Sequence, residues 1–267
     1  MSINREIMTT FHKFHGTGND FIMLDGRQIT EMPAPAAIAS LCHRRFGIGA
    51  DGLIVVKQHA HVDFEMIYFN ADGSLASMCG NGARCAVAYW FMKEMISSTC
   101  SFLAGDGAHT AVVKKTGDSL WDVEISMRDT AFPLETGQTV EINTGTPHLV
   151  NIVESVEPID IVGEGRNIRY SPRYAAEGIN VDWVSIGKDR LKVRTYERGV
   201  EDETLSCGTG VTACALVASL IEGIDSWKVE TPGGNLRVSL TRSDKMFLNI
   251  RLAGPAAMVF SGEVIIA

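Results

Sequence analysis

The chain has no run of about 18 apolar residues, so a transmembrane helix is not expected. Its opening, MSINREIMTT, has no apolar core and no small-residue cleavage site, and so does not read as a secretory signal. Residues 1–8 read as an extension ahead of the first strand, with Met8 an alternative start. Basic residues are in short supply: 24 Lys and Arg face 32 Asp and Glu, for a net charge of −8. Only His43-Arg44-Arg45 forms a short basic run, read as a solvated helix end, so the chain is a poor match to a phosphate backbone. Its six cysteines (Cys42, Cys79, Cys85, Cys100, Cys207 and Cys214) include no Cys-x-x-Cys pair, so no structural zinc site is indicated. In a chain this long without an export signal, the default is reduced thiols in the cytoplasm.

Other familiar chemistries are also missing. No Ser-His-Asp order, glycosidase carboxylate pair or pyridoxal-binding lysine motif stands out. GIGADG at 47–52 matches G-x-G-x-x-G, but it follows a helix-like SLCHRRF and precedes the strand-like GLIVV. That order is the reverse of a dinucleotide-binding turn. NADGS at 70–74 lacks the later acidic ligands of a calcium loop and reads as a turn.

What the chain does have is an internal repeat. At a shift of 128, Tyr68–Gly105 and Tyr196–Gly233 share 8 identities in 38 positions, among them Cys79/Cys207, Gly80/Gly208 and Gly82/Gly210. HGTGNDF at 15–21 parallels NTGTPHL at 143–149, which matches His148 to the Asn-Asp-Phe segment. A period of half the chain indicates a duplicated domain. Strand-like runs lie at 21–24, 52–56, 64–69, 110–113 and 122–127, and again at 139–143, 149–153, 182–186, 191–196, 235–240 and 246–252. A helix apolar on nearly every face follows each Cys-Gly-x-Gly, at 83–95 and 211–223, the second closed by Gly223. The expected fold is therefore α/β, of the α+β kind. Two pseudo-symmetric domains, 1–127 and 128–259, each wrap a curled, mostly antiparallel sheet round a buried central helix. Residues 260–267 either complete the first domain or stay with the second.

Each repeat puts a cysteine where a strand gives way to a helix. The first N–H groups of a helix lack intrahelical partners and carry partial positive charge. They lower the cost of a thiolate, and hence the thiol pKa, and can hold a carboxylate. Two such thiols facing each other across a cleft suit inversion at carbon: one removes a proton, the other returns one from the opposite side. Donors on the substrate carboxylate stabilise the developing carbanion. A free cysteine is usually a small buried hydrophobe, and Cys42, Cys85, Cys100 and Cys214 are read that way. The duplication sets Cys79 and Cys207 apart.

The motifs HGTGNDF, FNADGS, MCGNGARC, GTPH, YERG and CGTG, in this order and spacing, resemble those of the diaminopimelate epimerase family from Phe11 onward. The resemblance implies an enzyme interconverting LL- and meso-diaminopimelate, which serves lysine and peptidoglycan synthesis. It implies a site in the interdomain cleft, working with no cofactor and no metal. Residue by residue, Cys79 and Cys207 match the acid/base pair. Gly80-Asn81 and Gly208-Thr209 match the donors to the reacting carboxylate. Asn19, Asn70, Asn180 and Arg198 match the residues holding the distal amino-acid end. His148 and Glu197 match the pair near the reacting amino group. Many relatives carry Gln at Gly52 and Asn at Thr146, so the side-chain contacts at those two positions are open. The implied partner is a small-molecule substrate, not a nucleic acid or a membrane; a homodimer is left open. A proline or hydroxyproline racemase shares the duplicated fold and the cysteine pair, but HGTGNDF and Arg198 suit a substrate with a second charged end. The phenazine-biosynthesis isomerase type lacks the cysteine pair. A binding protein on the same scaffold would not need the thiols.

Overall fold

The computed structural model describes residues 7–94 and 98–266. Residues 1–6, most of the expected N-terminal extension, lie outside the described residues, as does Met95 of the first helix candidate. Ile7 and Met8 are strand rather than extension, because they pair with Ile266 and Ile265 at the far end of the chain. The chain divides into two compact units, one of Met1–Ile125 with Pro255–Ala267 and one of Ser126–Gly254.

The first unit contains β1 (Ile7–Gly16), β2 (Asn19–Asp25), α1 (Pro35–Cys42), β3 (Gly52–Lys57), β4 (Phe64–Asn70), β5 (Leu75–Ala76), α2 (Gly80–Glu94), β6 (Thr99–Ala104), β7 (Gly107–Gly117) and β8 (Leu120–Ser126). The second contains β9 (Thr130–Ala131), β10 (Thr139–Asn143), β11 (Pro147–Ile152), α3 (Ile161–Arg169), β12 (Asn180–Ile186), β13 (Arg190–Glu197), β14 (Asp202–Thr204), α4 (Gly208–Glu222), β15 (Ser226–Thr231) and β16 (Gly234–Ser243). The last strand, β17 (Met246–Ile266), begins in the second unit and ends in the first.

Most ladders are antiparallel, as the alternating strands suggest. Each unit also holds two parallel pairs: β2–β3 and β4–β6 in the first, β11–β12 and β13–β15 in the second. Parallel neighbours need a crossover, and a helix supplies each one. The shorter crossovers carry α1 and α3. The longer ones carry α2 and α4, the helices that open at Cys-Gly-x-Gly. In α2 every residue from Gly80 to Trp90 is buried, and in α4 nearly every residue from Gly208 to Ser219. A helix without a solvent face belongs inside a curled sheet. Each fully buried Val, Leu or Phe packed there contributes about 1.5–3 kcal/mol.

Both central helices begin three residues before the positions expected from their apolar runs. The glycines form the first turn: the Ala83 N–H donates to Cys79 O and the Val211 N–H to Cys207 O, each at 2.8 Å. At the other end, Gly223 takes φ +73° and its N–H reaches Ser219 O at 3.0 Å. Arg242 donates to the carbonyls of Ser219 and Gly223 at 3.1 and 3.0 Å, giving the end of α4 a cation where the helix dipole favours one. Among the described residues, no helix is long and apolar enough to cross a membrane.

Candidate active site

In the first unit, Cys79 is half-buried immediately before α2. The Gly82 N–H points at its sulfur across 3.5 Å, which puts the sulfur at the positive end of the helix. Asn19 Oδ1 lies 3.6 Å from the Cys79 sulfur and 3.4 Å from Asn81 Nδ2. The Asn19 amide is oriented from behind, because its Nδ2 donates to Asp51 Oδ2 at 2.7 Å. Arg44 ties Asp51 at 2.5 Å to Asp20, which it grips with both nitrogens at 2.8 and 3.0 Å. Lys13 adds an ion pair to Asp20 at 2.7 Å and a hydrogen bond to Gly49 O. Burial alone would raise the Asp20 carboxyl, but Arg44 and Lys13 more than offset it and hold it far below the usual range. Arg44 is therefore not a merely solvated helix end: α1 stops at Cys42, and the arginine turns back onto two carboxylates.

Asn81 is buried behind the same turn. Its Oδ1 accepts from Arg84 Nη2 at 2.9 Å and from Thr17 Oγ1 at 3.4 Å. Arg84 is fully buried and also donates to Gly80 O at 3.3 Å; burial pushes its guanidinium below the ordinary value. Asn70 ends β4, where its amide donates to Ser74 Oγ at 3.0 Å across the NADGS turn. Gly52 lies between Phe21 and Asn70 in the sheet. A Cβ there would come within 2.5 Å of Phe69 O and 2.6 Å of the Tyr68 ring, so a side chain at this position requires those neighbours to move.

The second unit repeats the turn with different support. Cys207 is buried at the N-cap of α4, and Thr209 Oγ1 lies 3.4 Å from its sulfur. Thr209 Oγ1 also lies 3.0 Å from His148 Nε2 and 3.2 Å from Thr146 Oγ1, while its carbonyl accepts from Thr144 Oγ1 at 3.0 Å. His148 Nδ1 meets Asp182 Oδ2 at 2.7 Å, with both side chains fully buried. Thr195 donates to the other Asp182 oxygen at 2.7 Å. Asn180 donates to Thr146 Oγ1 and Pro147 O, each at 3.2 Å, and accepts the Arg198 N–H at 2.9 Å. Glu197 ends β13, where it pairs with Asp202 of β14. The Arg198 guanidinium donates to Glu177 O at 2.8 Å.

The two starts thus gather Asn19, Cys79, Gly80 and Asn81 in one unit, and Thr146, His148, Asn180, Cys207, Gly208 and Thr209 in the other. One expectation changes. The helix N-terminus was expected to lower both thiols, yet Cys207 is pushed well above its ordinary value. Burial is the largest cause, followed by the nearby negative charges of Glu197 and Asp182. The match of His148 to the Asn-Asp-Phe segment falls on its last residue. His148 lies opposite Asn180 as Phe21 lies opposite Gly52, so Phe21 is its counterpart and Ile54 is that of Asp182.

Arg84, Asp182, Asp51 and Thr195 were not singled out from the sequence. Arg84 and Asp182 did carry a signal, being lone charges inside otherwise apolar runs, ARCAVAYW and NVDWV. Among the described residues, no three His, Cys, Asp or Glu side chains converge as a metal would require.

The diaminopimelate epimerase family model matches residues 11–130 and 140–259. A diaminopimelate epimerase of Flavobacterium psychrophilum is 42% identical over 257 residues, covering 95% of this chain and 99% of that protein. One from Archaeoglobus fulgidus is 38% identical over 275 residues, covering 94% of this chain and 95% of that protein. Among solved structures, a PhzF-family phenazine biosynthesis protein of Bacillus anthracis superposes with a TM-score of 0.74 at 14% identity, over 97% of this chain and 99% of that one. A hydroxyproline epimerase from Agrobacterium vitis gives a TM-score of 0.69 at 14% identity, over 98% and 94%. At such identities the likeness is one of fold. With the family matched across both halves of the chain, this protein belongs to the diaminopimelate epimerases, a family of isomerases.

Proposed function

We propose that the protein interconverts LL- and meso-diaminopimelate by two-base proton transfer, with Cys79 and Cys207 as the acid/base pair and no cofactor. The observation that carries this reading is the duplicated helix start, where a cysteine carbonyl accepts the first helical N–H in each unit. One thiolate takes the α-proton, the Cα–H bond breaks, and its electron pair moves into the carboxylate. The other thiol delivers its proton to the opposite face, and the electron pair returns to form the new Cα–H bond. The thiol that gave its proton is now the thiolate, so the two exchange roles with direction.

Gly80-Asn81 and Gly208-Thr209 precede the first helical hydrogen bond, and their N–H groups suit the reacting carboxylate. His148 and Glu197 serve the reacting amino group. Asn19, Asn70, Asn180 and Arg198 hold the distal end, a forked guanidinium being well matched to a carboxylate. Thr146 offers a hydroxyl, while Gly52 offers only backbone. The names of the similar proteins support the substrate.

The test is α-deuterium incorporation in heavy water with LL-diaminopimelate, meso-diaminopimelate and proline. Deuterium is expected in both diaminopimelate isomers and not in proline, with no change on adding pyridoxal phosphate or a chelator. Exchange into proline alone would overturn the substrate.

A further inference from the structure

The least explained group beside Cys207 is Asp182. It is a fully buried carboxylate, carried on a strand whose first five residues are all buried. Isolated burial of a charge is costly, so its partners indicate what it is for. One oxygen accepts from Thr195 and the other faces His148 Nδ1. Room for it is made by Gly210, where a Cβ would stand 2.3 Å from Asp182 Oδ1.

A carboxylate can only accept, so Nδ1 must carry a proton. The surrounding contacts then fit a single relay that ends at Cys207. The Arg198 N–H occupies Asn180 Oδ1, so the Asn180 NH2 faces Thr146 Oγ1. Thr146, having accepted, donates to Thr209 Oγ1 across 3.2 Å. Thr209 donates to His148 Nε2 across 3.0 Å. That leaves a Thr209 lone pair facing the Cys207 sulfur at 3.4 Å, ready to accept from a thiol. Thr146 Oγ1 stands equally close to Nε2, at 3.0 Å, and Asn180 Nδ2 at 3.5 Å, so a bare Nε2 is the acceptor that these neighbouring donors share.

We propose that Asp182 is a positioning residue for the reaction: it holds His148 as the Nδ1–H tautomer and, through the bare Nε2, turns the Thr209 hydroxyl so that its oxygen accepts from Cys207. The proposal rests on the reading of Cys207 as one of the two acid/base thiols. Asp182 touches no reacting atom; it acts through the ring and the hydroxyl.

Histidine-ring nitrogen NMR on the wild-type protein at about pH 8, above the ordinary imidazole range, reads the tautomer directly. The His148 signal is assigned by its loss in His148→Gln. A protonated Nδ1 with an unprotonated Nε2 is expected; an Nε2-protonated or doubly protonated ring overturns the proposal. In Asp182→Asn the ring is expected to change tautomer, and kcat to fall by roughly tenfold or more with a smaller change in KM, because an amide can donate where the carboxylate could not. A kcat within about twofold of wild type would overturn it. Thr195→Val leaves His148 untouched and frees one carboxylate oxygen; a fall in kcat smaller than that of Asp182→Asn is expected. If Asp182→Asn does not fold, the wild-type ring spectrum decides. The ring spectrum needs no substrate, so a failure to turn over diaminopimelate would count against the proposed function and not against the tautomer.

Discussion

The two helix starts share a backbone and differ in what stands behind it. In the first unit, the third helical position, Gly82, faces Ile54 and Phe21, and a buried cation, Arg84, sits at the fifth. In the second unit, Gly210 faces Asp182 and Thr195, His148 takes the place of Phe21, and Thr212 stands where Arg84 would be. Thr212 simply returns its hydroxyl to Gly208 O at 2.8 Å. One thiol is half-buried with an arginine in its field, and the other is buried among carboxylates. Duplication supplied two copies of a turn that can hold a thiol and a carboxylate. The supports make the two copies chemically unequal, even though the proposed reaction asks each to act in both roles.

Removing the thiols gives the largest effect. Cys79→Ala and Cys207→Ala should each lower inversion by about 10²–10⁴-fold, the range for loss of a general acid or base. The surviving thiol should still exchange the α-proton of one stereoisomer, a different one in each variant. Deuterium wash-in followed by chiral separation reads both effects; inversion at near wild-type rate in either variant would refute the two-base assignment.

The glycines test the supports themselves. An alanine methyl at Gly210 would meet a carboxylate fixed on two sides, 2.3 Å away. At Gly82 it would meet the tip of Ile54, 2.9 Å away and able to turn aside. Overpacking costs about 1–3 kcal/mol, so Gly210→Ala should lie near the top of that range and Gly82→Ala near the bottom. Equal or reversed losses in urea unfolding would show that Asp182 is not held as firmly as its contacts indicate.

The smallest effect is a difference in acid sensitivity. In the first unit His12 packs against Tyr89, ring centroids 5.3 Å apart. Burial, then the charge of Lys93, lowers its imidazole from 6.5 to about 4, against a weaker opposing effect of Asp25. The unfolded chain takes up this proton near 6.5 and the folded unit does not, so protonation favours unfolding. Stability from this source is complete above about 6.5 and declines as pH falls toward about 4. The corresponding residue of the second half is Val140, which does not titrate. His12→Val should therefore flatten the urea midpoint between those two pH values; an unchanged slope would assign the acid sensitivity to other groups.

The strands were legible where apolar and polar residues alternate, and TVEIN coincides with β10. The helix starts were misplaced by three residues, because glycine propensity argues against helix while burial of the whole turn favours it. The paired cysteines were legible from the repeat. The behaviour of Cys207 was not, since it depends first on burial and then on Glu197 and Asp182, which are brought in by other strands. Arg84 and Asp182 could be picked out as charges in apolar surroundings, but the contacts of Arg84 with Thr17 and of Asp182 with His148 span 67 and 34 residues of sequence. Which domain residues 260–267 join was open in the sequence; in the fold the chain returns to the first unit at Pro255. Pro255 falls between the register with β16, which reaches Ala253, and that with β1, which begins at Ala257.

The last strand also sets the order in which the molecule can be completed. The second unit is one continuous stretch, and all of it has been synthesised by Gly254. The first unit begins the chain, yet β1 obtains its second neighbour only when residues 257–266 arrive to pair with it. Its Phe11 ring waits for Phe260, 5.8 Å away in the finished fold, across almost the whole length of the polypeptide. Contacts so distant in sequence form slowly. The half that comes first in the chain is therefore the half that is completed last.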